Sequence, residues 1–562
     1  MTQFHNIRAW AALLIAGAAF AACQPDEPQQ ETPKTYTMTV LATKGSESDS
    51  VADGSVKRAL SLTGKTLKAT WDEGEVVEVY QSGSKIGELT AAASATASTT
   101  LTGSFGSAPS TSADLTFYFH TADAPSYSGQ DGTLEKLAST YDFCAPATVT
   151  TGNFTVDDVN KTISVPDGIS FGANQQAIVK FTLKNSSDAA INASFLRIND
   201  GDHVYYIYPS TATDVLYVAL PGFSDKTVKL EASIAGKLYK YARNSVTFSN
   251  SQYYEIGVKM TEVPGALAGR FTIHPNGKQV HFSQGNLQAT TTDLGANWTW
   301  SFAEHQWDFI GGRDDHISWG ITGNNYINGN GTMSQNGTID LFGWVGASSN
   351  FTGAAQYGIS NSTSNDDYGN VADEHLKSDW GTLAITNGGN TSNSGWYTPN
   401  FEYQHDWNKH EGWDCIILER TSGSVVNDTT NALFAYAKIT DIGYWNYGLI
   451  LFPDNITIGA GAVTKWGIIN HECDFDEYAT QCTSAEWAAL EAIGCVFLPR
   501  AGARWGSDFE SHTCGFYWSS TSLASPTSED KAWYLDFNDI VCGTLPGKRL
   551  KGCSVRLVRD AD

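Results

Sequence analysis

Apolar and polar residues alternate one by one through the first 260 residues, and this alternation most constrains what the chain can become. In Tyr36-Thr37-Met38-Thr39-Val40 the apolar side chains share one face and the threonines the other. Leu115-Thr116-Phe117-Tyr118-Phe119 and Val179-Lys180-Phe181-Thr182-Leu183-Lys184 repeat the pattern. So do Val204-Tyr205-Tyr206-Ile207-Tyr208, Val215-Leu216-Tyr217-Val218 and the run from Tyr253 to Val258. A period of two specifies half-buried strands. The Gly, Asn, Asp and Ser clusters between them read as turns. Strands at this spacing predict antiparallel β-sandwiches, two of them, over 35–165 and 166–262.

The texture changes across 262–268. Of 17 Trp, 15 lie between Trp298 and Trp533, and of 9 Cys, 7 lie between Cys415 and Cys553. Apolar runs become short, separated by long stretches rich in Gly, Asn and Ser. Long irregular loops are usually functional or disordered, and the tryptophans argue for ordered ones, because each buries a large apolar area. One helix is legible: Thr483-Ser484-Ala485-Glu486 fits a capping box, Trp487, Leu490 and Ile493 share a face, and Gly494 stops it. A buried strand is expected at Cys495-Val496-Phe497-Leu498-Pro499. A third domain is therefore expected over 268–562.

Residues 1–22 read as an export signal: Arg8, an apolar run from Trp10 to Phe20, and Ala21-Ala22 before Cys23. The polar, Pro-rich stretch 23–34 follows as a flexible tether. A Cys in this setting resembles that of a bacterial lipoprotein, which implies lipid attachment at Cys23. The acidic residues just after it resemble the surface-export tag of Bacteroidota lipoproteins. The expected location is the outer membrane, facing the cell exterior.

Two further resemblances follow. Arg58-Ala59-Leu60, the run Ala69-Thr70-Trp71-Asp72-Glu73-Gly74-Glu75-Val76-Val77-Glu78-Val79-Tyr80, Tyr127-Ser128-Gly129-Gln130-Asp131-Gly132 and the closing Tyr253 to Met260 resemble the fimbrillin family across most of 35–262. This implies two all-β, transthyretin-like sandwiches in a surface or pilus-associated protein. It also makes Arg58 a candidate protease site, where cleavage would open a groove for a partner's strand. From 268 onward, Leu498-Pro499-Arg500-Ala501-Gly502-Ala503-Arg504, Tyr517-Trp518-Ser519-Ser520-Thr521 and Gly552-Cys553-Ser554-Val555-Arg556-Leu557-Val558 resemble the major paralogous domain, kin to sulfatase-modifying-factor and C-type-lectin-like folds. This implies a mixed α+β domain with long ordered loops, making the whole chain multidomain.

The same kinship raises an oxidase reading, in which paired cysteines hold copper. The surroundings of Cys542 and Cys553 do not match that active-site motif, so no enzyme is expected. Cys473/Cys482 and Cys542/Cys553 are close enough in sequence to form disulfides, which secretion permits. No zinc-ligand spacing, H-E-x-x-H, G-x-S-x-G or P-loop is present. No cofactor is expected; calcium is the metal whose ligand chemistry the acidic loops suit, with no residue assignable. Asp49-Ser50-Val51 and Asp428-Thr429-Thr430 resemble O-glycosylation acceptors, at Ser50 and Thr429.

The formal net charge is −25. Phosphate binding needs clustered positive charge, so nucleic acid is excluded as a partner. Residues 265–562 hold 16 basic and 33 acidic residues, which favours neutral sugars, cations or basic protein surfaces over polyanions. The leading expectation is a lipid-anchored adhesin whose sandwiches form a stalk and whose last domain binds a glycan or protein. Trp319, Trp344, Trp380, Trp396 and Trp407 are the candidate contact aromatics, because they lie in Gly- and Asn-rich loops. The alternative is an accessory or anchor subunit of a fimbria, with fimbrial subunits as partners.

Overall fold

Strand accounts for 48% of the described residues and helix for 8%, so the alternating pattern is expressed as a multidomain, mostly β protein. The computed structural model describes residues 35–44, 60–63, 66–92, 96–120, 122–311, 325, 327–369, 379–401, 411–418, 425–427, 431–432, 434–442, 446–454, 456–458, 480–510, 513–523, 531–538 and 541–561.

The chain divides into two units, each discontinuous in sequence. One comprises residues 1–44, 71–122 and 146–171; the other comprises 45–70, 123–145 and 172–562.

The first unit opens with β1 (Tyr36–Thr43). A hairpin of β2 (Leu60–Thr63) and β3 (Thr66–Ala69) follows in sequence but belongs to the second unit. The first unit continues with β4 (Val76–Gln81), β5 (Ser84–Ala91), β6 (Ser98–Phe105), β7 (Leu115–Phe119), β8 (Ala147–Val149), β9 (Thr155–Asp157), β10 (Thr162–Ser164) and β11 (Ile169–Ser170). These form one sheet in the order β8-β7-β4-β5-β6-β1-β10-β9, with β11 also on β1. Each long strand buries alternate residues: Met38, Val40 and Ala42 on β1, Leu115, Phe117 and Phe119 on β7. Among the described residues no helix lies in this unit, so the sheet must close over its own apolar face. Gly103 permits the closest approach within it, since a Cβ there would lie 2.0 Å from the Glu88 carbonyl oxygen.

The second unit contains a sandwich. Its strands are β12 (Gln176–Lys184), β13 (Phe195–Asn199), β14 (Val204–Ile207), β15 (Val215–Pro221), β16 (Phe223–Ile234), β17 (Lys237–Phe248), β18 (Tyr253–Lys259) and β19 (Thr261–Leu267). A sheet ordered β15-β12-β18 faces one ordered β14-β13-β16-β17-β19. Val179, Phe181, Leu216 and Val258 from the first meet Leu196, Ile198, Leu230 and Ala232 from the second in one core. Residues 123–145 complete it: Tyr127, Leu137 and Tyr141 are buried there, and Gln130 bonds both the N–H and the carbonyl of Ala219 on β15.

After Leu267 the strands shorten. A four-stranded sheet joins Thr480–Cys482, Phe434–Ile439, Tyr447–Leu451 and Val496–Pro499, and a meander runs through Gly515–Ser522, Lys531–Phe537 and Cys542–Lys548. The expected helix is present at Ser484–Ala492 with its reciprocal capping box. The Thr483 hydroxyl accepts from the Glu486 N–H at 3.2 Å, and the Glu486 carboxylate accepts from the Thr483 N–H at 2.9 Å. Trp487 is buried, with Leu490 and Ile493 packed on the same cluster. Gly494 ends the helix at φ 97°, a conformation that favours glycine.

The expected boundaries need correcting. The chain does not divide between 262 and 268, nor is the first unit the continuous span 35–165. Phe195, Leu238, Ala266 and Ala268 share a core with Trp300, Trp344 and Trp380, so sandwich and loop-rich region form one unit. The β16–β17 turn docks on the helix: Ser233 Oγ donates to the Ala492 carbonyl at 2.6 Å, and the Ala268 N–H donates to the Gly236 carbonyl at 2.9 Å. The change in composition is real, but the apolar surface of the later residues is not enough to be covered by their own short strands alone.

At the centre of this joint is a buried charge cluster. Glu231 on β16 receives a fork from Arg270, with Nε at 2.7 Å and Nη2 at 2.6 Å. Lys240 lies 3.3 Å away and Arg197 3.4 Å. His281, fully buried, places Nε2 at 3.7 Å, beyond hydrogen-bond reach, and its Nδ1 is 2.9 Å from the Gly269 carbonyl. Burial acts to raise the Glu231 carboxyl, but the Arg270 fork outweighs it and holds the group well below the usual carboxylate range. Burial lowers the His281 ring, so it is neutral at pH 7.

Arg270→Ala removes the fork and leaves a buried carboxylate leaning on Lys240. Breaking a buried pair costs ~3–5 kcal/mol, and the low end is expected because Lys240 remains. Urea unfolding of the second unit's transition should shift accordingly. An unchanged midpoint would mean that the cluster does not join the sandwich to the residues that follow.

Candidate functional site

The first described strand, β1, is the first site. β1 pairs antiparallel with β6 over eight residues, from Tyr36 opposite Phe105 to Thr43 opposite Ser98. On its other side it pairs parallel with β10 and then β11. Both ends are pinned. At the start, Lys161 donates to the Tyr36 hydroxyl at 2.8 Å, and that hydroxyl bonds Asp158. At the end, the Lys44 ammonium sits 3.8 Å from the Phe119 ring centroid and 4.7 Å from that of Trp71, and pairs with Glu75 at 3.1 Å. Trp71 and Phe119 meet edge-on at 5.4 Å, giving the ammonium a rigid aromatic wall.

Of the sequence-predicted site residues, Cys23, Ser50, Arg58, Trp319, Trp407 and Thr429 lie outside the described residues. The other three tryptophans correct the expectation of ligand contact. Trp344 and Trp380 are fully buried and Trp396 is 3% exposed. Each indole N–H donates to a backbone carbonyl: Trp344 to Ser519 at 3.0 Å, Trp380 to Tyr357 at 2.9 Å, Trp396 to Gly388 at 2.9 Å. Loops rich in Gly, Asn and Ser offer little apolar surface of their own. A tryptophan supplies it and ties down a backbone carbonyl as well.

The cysteine expectation is also corrected. Cys542 and Cys553 are both buried, and they sit in different hydrophobic clusters rather than in a disulfide with each other. Cys482 is buried as well, while Cys473 lies outside the described residues. Among the described residues, no group of three or more His, Cys, Asp or Glu converges as a metal site would require.

Two arginines of the C-terminal motifs, Arg504 and Arg556, are internal staples. Arg504 donates to the carbonyls of Ser360 and Gly506 at 2.6 Å and of Gly358 at 3.2 Å. Arg556 donates to Gln306 at 2.9 Å. Burial pushes its guanidinium down to about 10, so it stays charged at neutral pH. Nearby, Asp340 and Asn325 clamp each other: Asn325 Nδ2 donates to the carboxylate at 2.9 Å, and the Asp340 N–H donates to Asn325 Oδ1 at 3.0 Å. Full burial raises this carboxyl to about 6.

Three clefts lined by described residues lie on the second unit. One, of about 390 Å³, lies beside Glu231 and is flanked by Lys229 and Lys240. A second, of about 550 Å³, is charged, but its charges are already matched. Lys278 pairs with Asp560 at 2.9 Å, His274 with Glu411 at 2.7 Å, and the Tyr397 hydroxyl donates to Asp560 at 2.6 Å. Burial and Asp560 together push the Tyr397 hydroxyl up. The third, of about 350 Å³, is lined by Trp298, Trp300 and Tyr357 with neutral Asn and Thr side chains. Sequence reasoning passed over Trp298 and Trp300. Their i, i+2 spacing at a strand start puts both on one face, and that was the available signal.

No known protein-family profile matches the sequence, and no curated protein does. Among solved structures, the chain is similar to the shaft pilin SpaA of Lactobacillus rhamnosus GG, at 10% identity over 41% of this chain and 98% of that one, TM-score 0.21. It is also similar to a fimbrial assembly protein of Parabacteroides distasonis, at 10% identity over 44% and 96%, TM-score 0.21. The minor pilin GBS52 of Streptococcus agalactiae aligns at 11% identity over 41% and 97%, TM-score 0.19. Likeness at this level leaves the functional reading to rest on the chain's own geometry.

Asp340 gives a pH test. Its folded value lies above the ordinary 3.8, so its stabilisation is complete below that value and is lost as pH rises through about 6. Between pH 7.5 and pH 5 the folded state should gain ~1.4 kcal/mol from this group. His281 acts in the opposite sense over the same window, so the comparison is between wild type and Asp340→Asn. The variant should lack that gain, and identical pH profiles in chemical unfolding would refute the assignment.

Proposed function

We propose that the chain is a cell-surface structural protein, a lipid-anchored accessory or anchor subunit of a fimbria. The observation that carries this reading is the position of β1. The described chain begins with a strand that lies inside the sheet, paired on both sides and pinned at both ends. A tether attached to such a strand pulls along its length. The ladder with β6 is then loaded in shear, where its bonds must fail together rather than peel one at a time. Each contributes ~0.5–1.5 kcal/mol net, and the four apolar side chains from Tyr36 to Ala42 add burial of ~1.5–3 kcal/mol for each large one.

The fimbrillin resemblance extends the reading. If the chain were cut after Arg58, β1 would remain in place through hydrogen bonds and packing alone, and a partner's strand could replace it between β6 and β10. An anchor subunit keeps the connection intact, since the cut would separate the lipid from everything downstream. The outer face of the outer membrane is the location this reading requires.

A second reading, a surface binding protein for a glycan or protein, is favoured by the aromatic cleft of the second unit. The two are compatible, because an anchored subunit can also carry a binding face.

The test uses intact cells. Palmitate labelling should be lost in Cys23→Ala, external protease should reach the protein in unbroken cells, and pilin-like subunits should copurify with it. A mature N-terminus at Ala59 or beyond in every molecule, with no lipid, would sink the anchor reading. Separately, Lys44→Met should leave Glu75 without its ammonium in a mostly buried site. Loss of a hydrogen-bonded charge partner costs ~1.5–3 kcal/mol, read as a lower melting temperature of the first unit. No shift would mean that this end of β1 is not locked.

A further inference from the structure

We propose that the cleft built around Trp298 is a binding subsite for one residue of a neutral saccharide. The proposal stands on this cleft alone, whether or not the chain anchors a fimbria.

The cleft is prebuilt. Trp298 is half-buried, and its indole N–H donates to the Gly331 carbonyl at 3.0 Å, which fixes the plane of the ring. Gly295 has φ 99°, and a Cβ there would lie 2.3 Å from the Gly331 oxygen, so only glycine lets these two rims approach. The rims are further tied by the Met333 N–H to the Leu294 carbonyl at 3.1 Å and by the Leu294 N–H to Asn336 Oδ1 at 2.8 Å. Behind them, Trp300 is 7% exposed, with Tyr357 edge-on at 5.7 Å and Phe342 tilted at 5.4 Å. An aromatic platform held this way needs no ordering when a ligand arrives.

The chemistry of the walls selects the ligand. Among the described residues, no Asp, Glu, Lys, Arg or His lines the cleft. An anion would find no cation there, and the excess of acidic residues over 265–562 opposes it further. A cation would meet Asp293 at the approach, but that carboxylate is already occupied by Asn297, through Nδ2 at 2.6 Å and N–H at 2.8 Å, and by the Thr291 hydroxyl at 2.9 Å. What remains is aromatic surface bordered by uncharged donors and acceptors. Asn330 accepts from Ser360 at 2.6 Å through Oδ1, which leaves its NH₂ available. The Thr352 and Tyr357 hydroxyls have no hydrogen-bond partner among the described residues.

A pyranose has the matching form. Its axial C–H face is apolar and slightly positive, which suits the negative face of an indole. Its equatorial hydroxyls donate and accept in the plane around that face, where amide and hydroxyl groups serve both roles. A purely apolar ligand would strand the Asn330, Thr352 and Tyr357 groups. The volume, about 350 Å³, falls at the small end of ligand clefts and fits one ring of a longer chain rather than a whole oligosaccharide.

The test is saturation-transfer NMR on the full chain carrying Cys23→Ala, which removes the lipid. The probes are methyl α-mannoside, N-acetylglucosamine, lactose and maltose, with sialic acid and a sulfated heparin disaccharide as charged comparators. At least one neutral probe should bind in the millimolar range, and the charged ones should not. Trp298→Ala should weaken that binding ~10-fold or more, as loss of a buried aromatic anchor does, with the melting curve retained. If that variant fails to fold, Thr352→Val, which changes only an exposed hydroxyl, should weaken binding severalfold. Absence of binding by every neutral probe, preference for the charged ones, or neutral binding unchanged in the folded variants would overturn the proposal.

Discussion

Glu231 is one carboxylate facing two guanidinium groups and an ammonium in a site almost closed to water, and the second unit depends on it. A buried pair of charges gives little net stability, because the cost of desolvation roughly offsets the attraction. Its value is in specificity. Arg270 reaches Glu231 only if the chain after β19 turns back across β16, so the pair holds the loop-rich residues in one register on the sandwich. The β16–β17 turn on the helix end and the contact of Gly269 with Gly494 follow from that register, since each needs two backbones brought to the separation only glycine allows.

The same economy runs through the later residues. Their strands are short and their loops long, so backbone carbonyls outnumber the N–H groups a sheet could offer them. The chain answers with side-chain donors that are large and apolar elsewhere. Trp344, Trp380, Trp396, Trp413 and Trp518 each fill space and donate one N–H to a carbonyl. Arg504 does the same with two nitrogens. This is why tryptophan and buried arginine concentrate where regular structure thins out, and why so many aromatic residues do not imply an aromatic surface.

Legibility in the sequence followed from how local each cause was. The strands of the first 260 residues were readable because burial of one face writes a period of two. The helix at 484–492 was readable because its cap, face and stop lie within twelve residues. The boundary near 265 was misread because composition changes there, while the contacts that join the two sides, Glu231 with Arg270 and Ser233 with Ala492, span tens to hundreds of residues. The tryptophans were misread for a related reason. A Gly- and Asn-rich neighbourhood marks a loop, but whether an indole in that loop points inward depends on distant carbonyls such as that of Ser519. Trp298 and Trp300 escaped notice because one lines an open cleft and the other backs it, and their neighbours in sequence look like any strand start.

On the proposed anchor reading the chain is loaded at its N-terminus, and the placement of β1 is then more than a detail of topology. Acyl chains resist extraction by ~0.8 kcal/mol per buried CH₂. A terminal strand on a sheet edge would open like a zipper under far less. β1 instead lies between β6 and the β10–β11 pair, with Met38, Val40 and Ala42 fully in the core and Lys44 closed in by Trp71, Phe119 and Glu75. Drawing it out would have to break an eight-residue ladder in concert and leave Glu75 without its ion-pair partner. The same features that make the strand a firm tie would make its empty groove a strong acceptor for another strand of like pattern. Anchorage and strand exchange are thus two uses of one geometry, and whether the chain between β1 and β4 is cut decides between them.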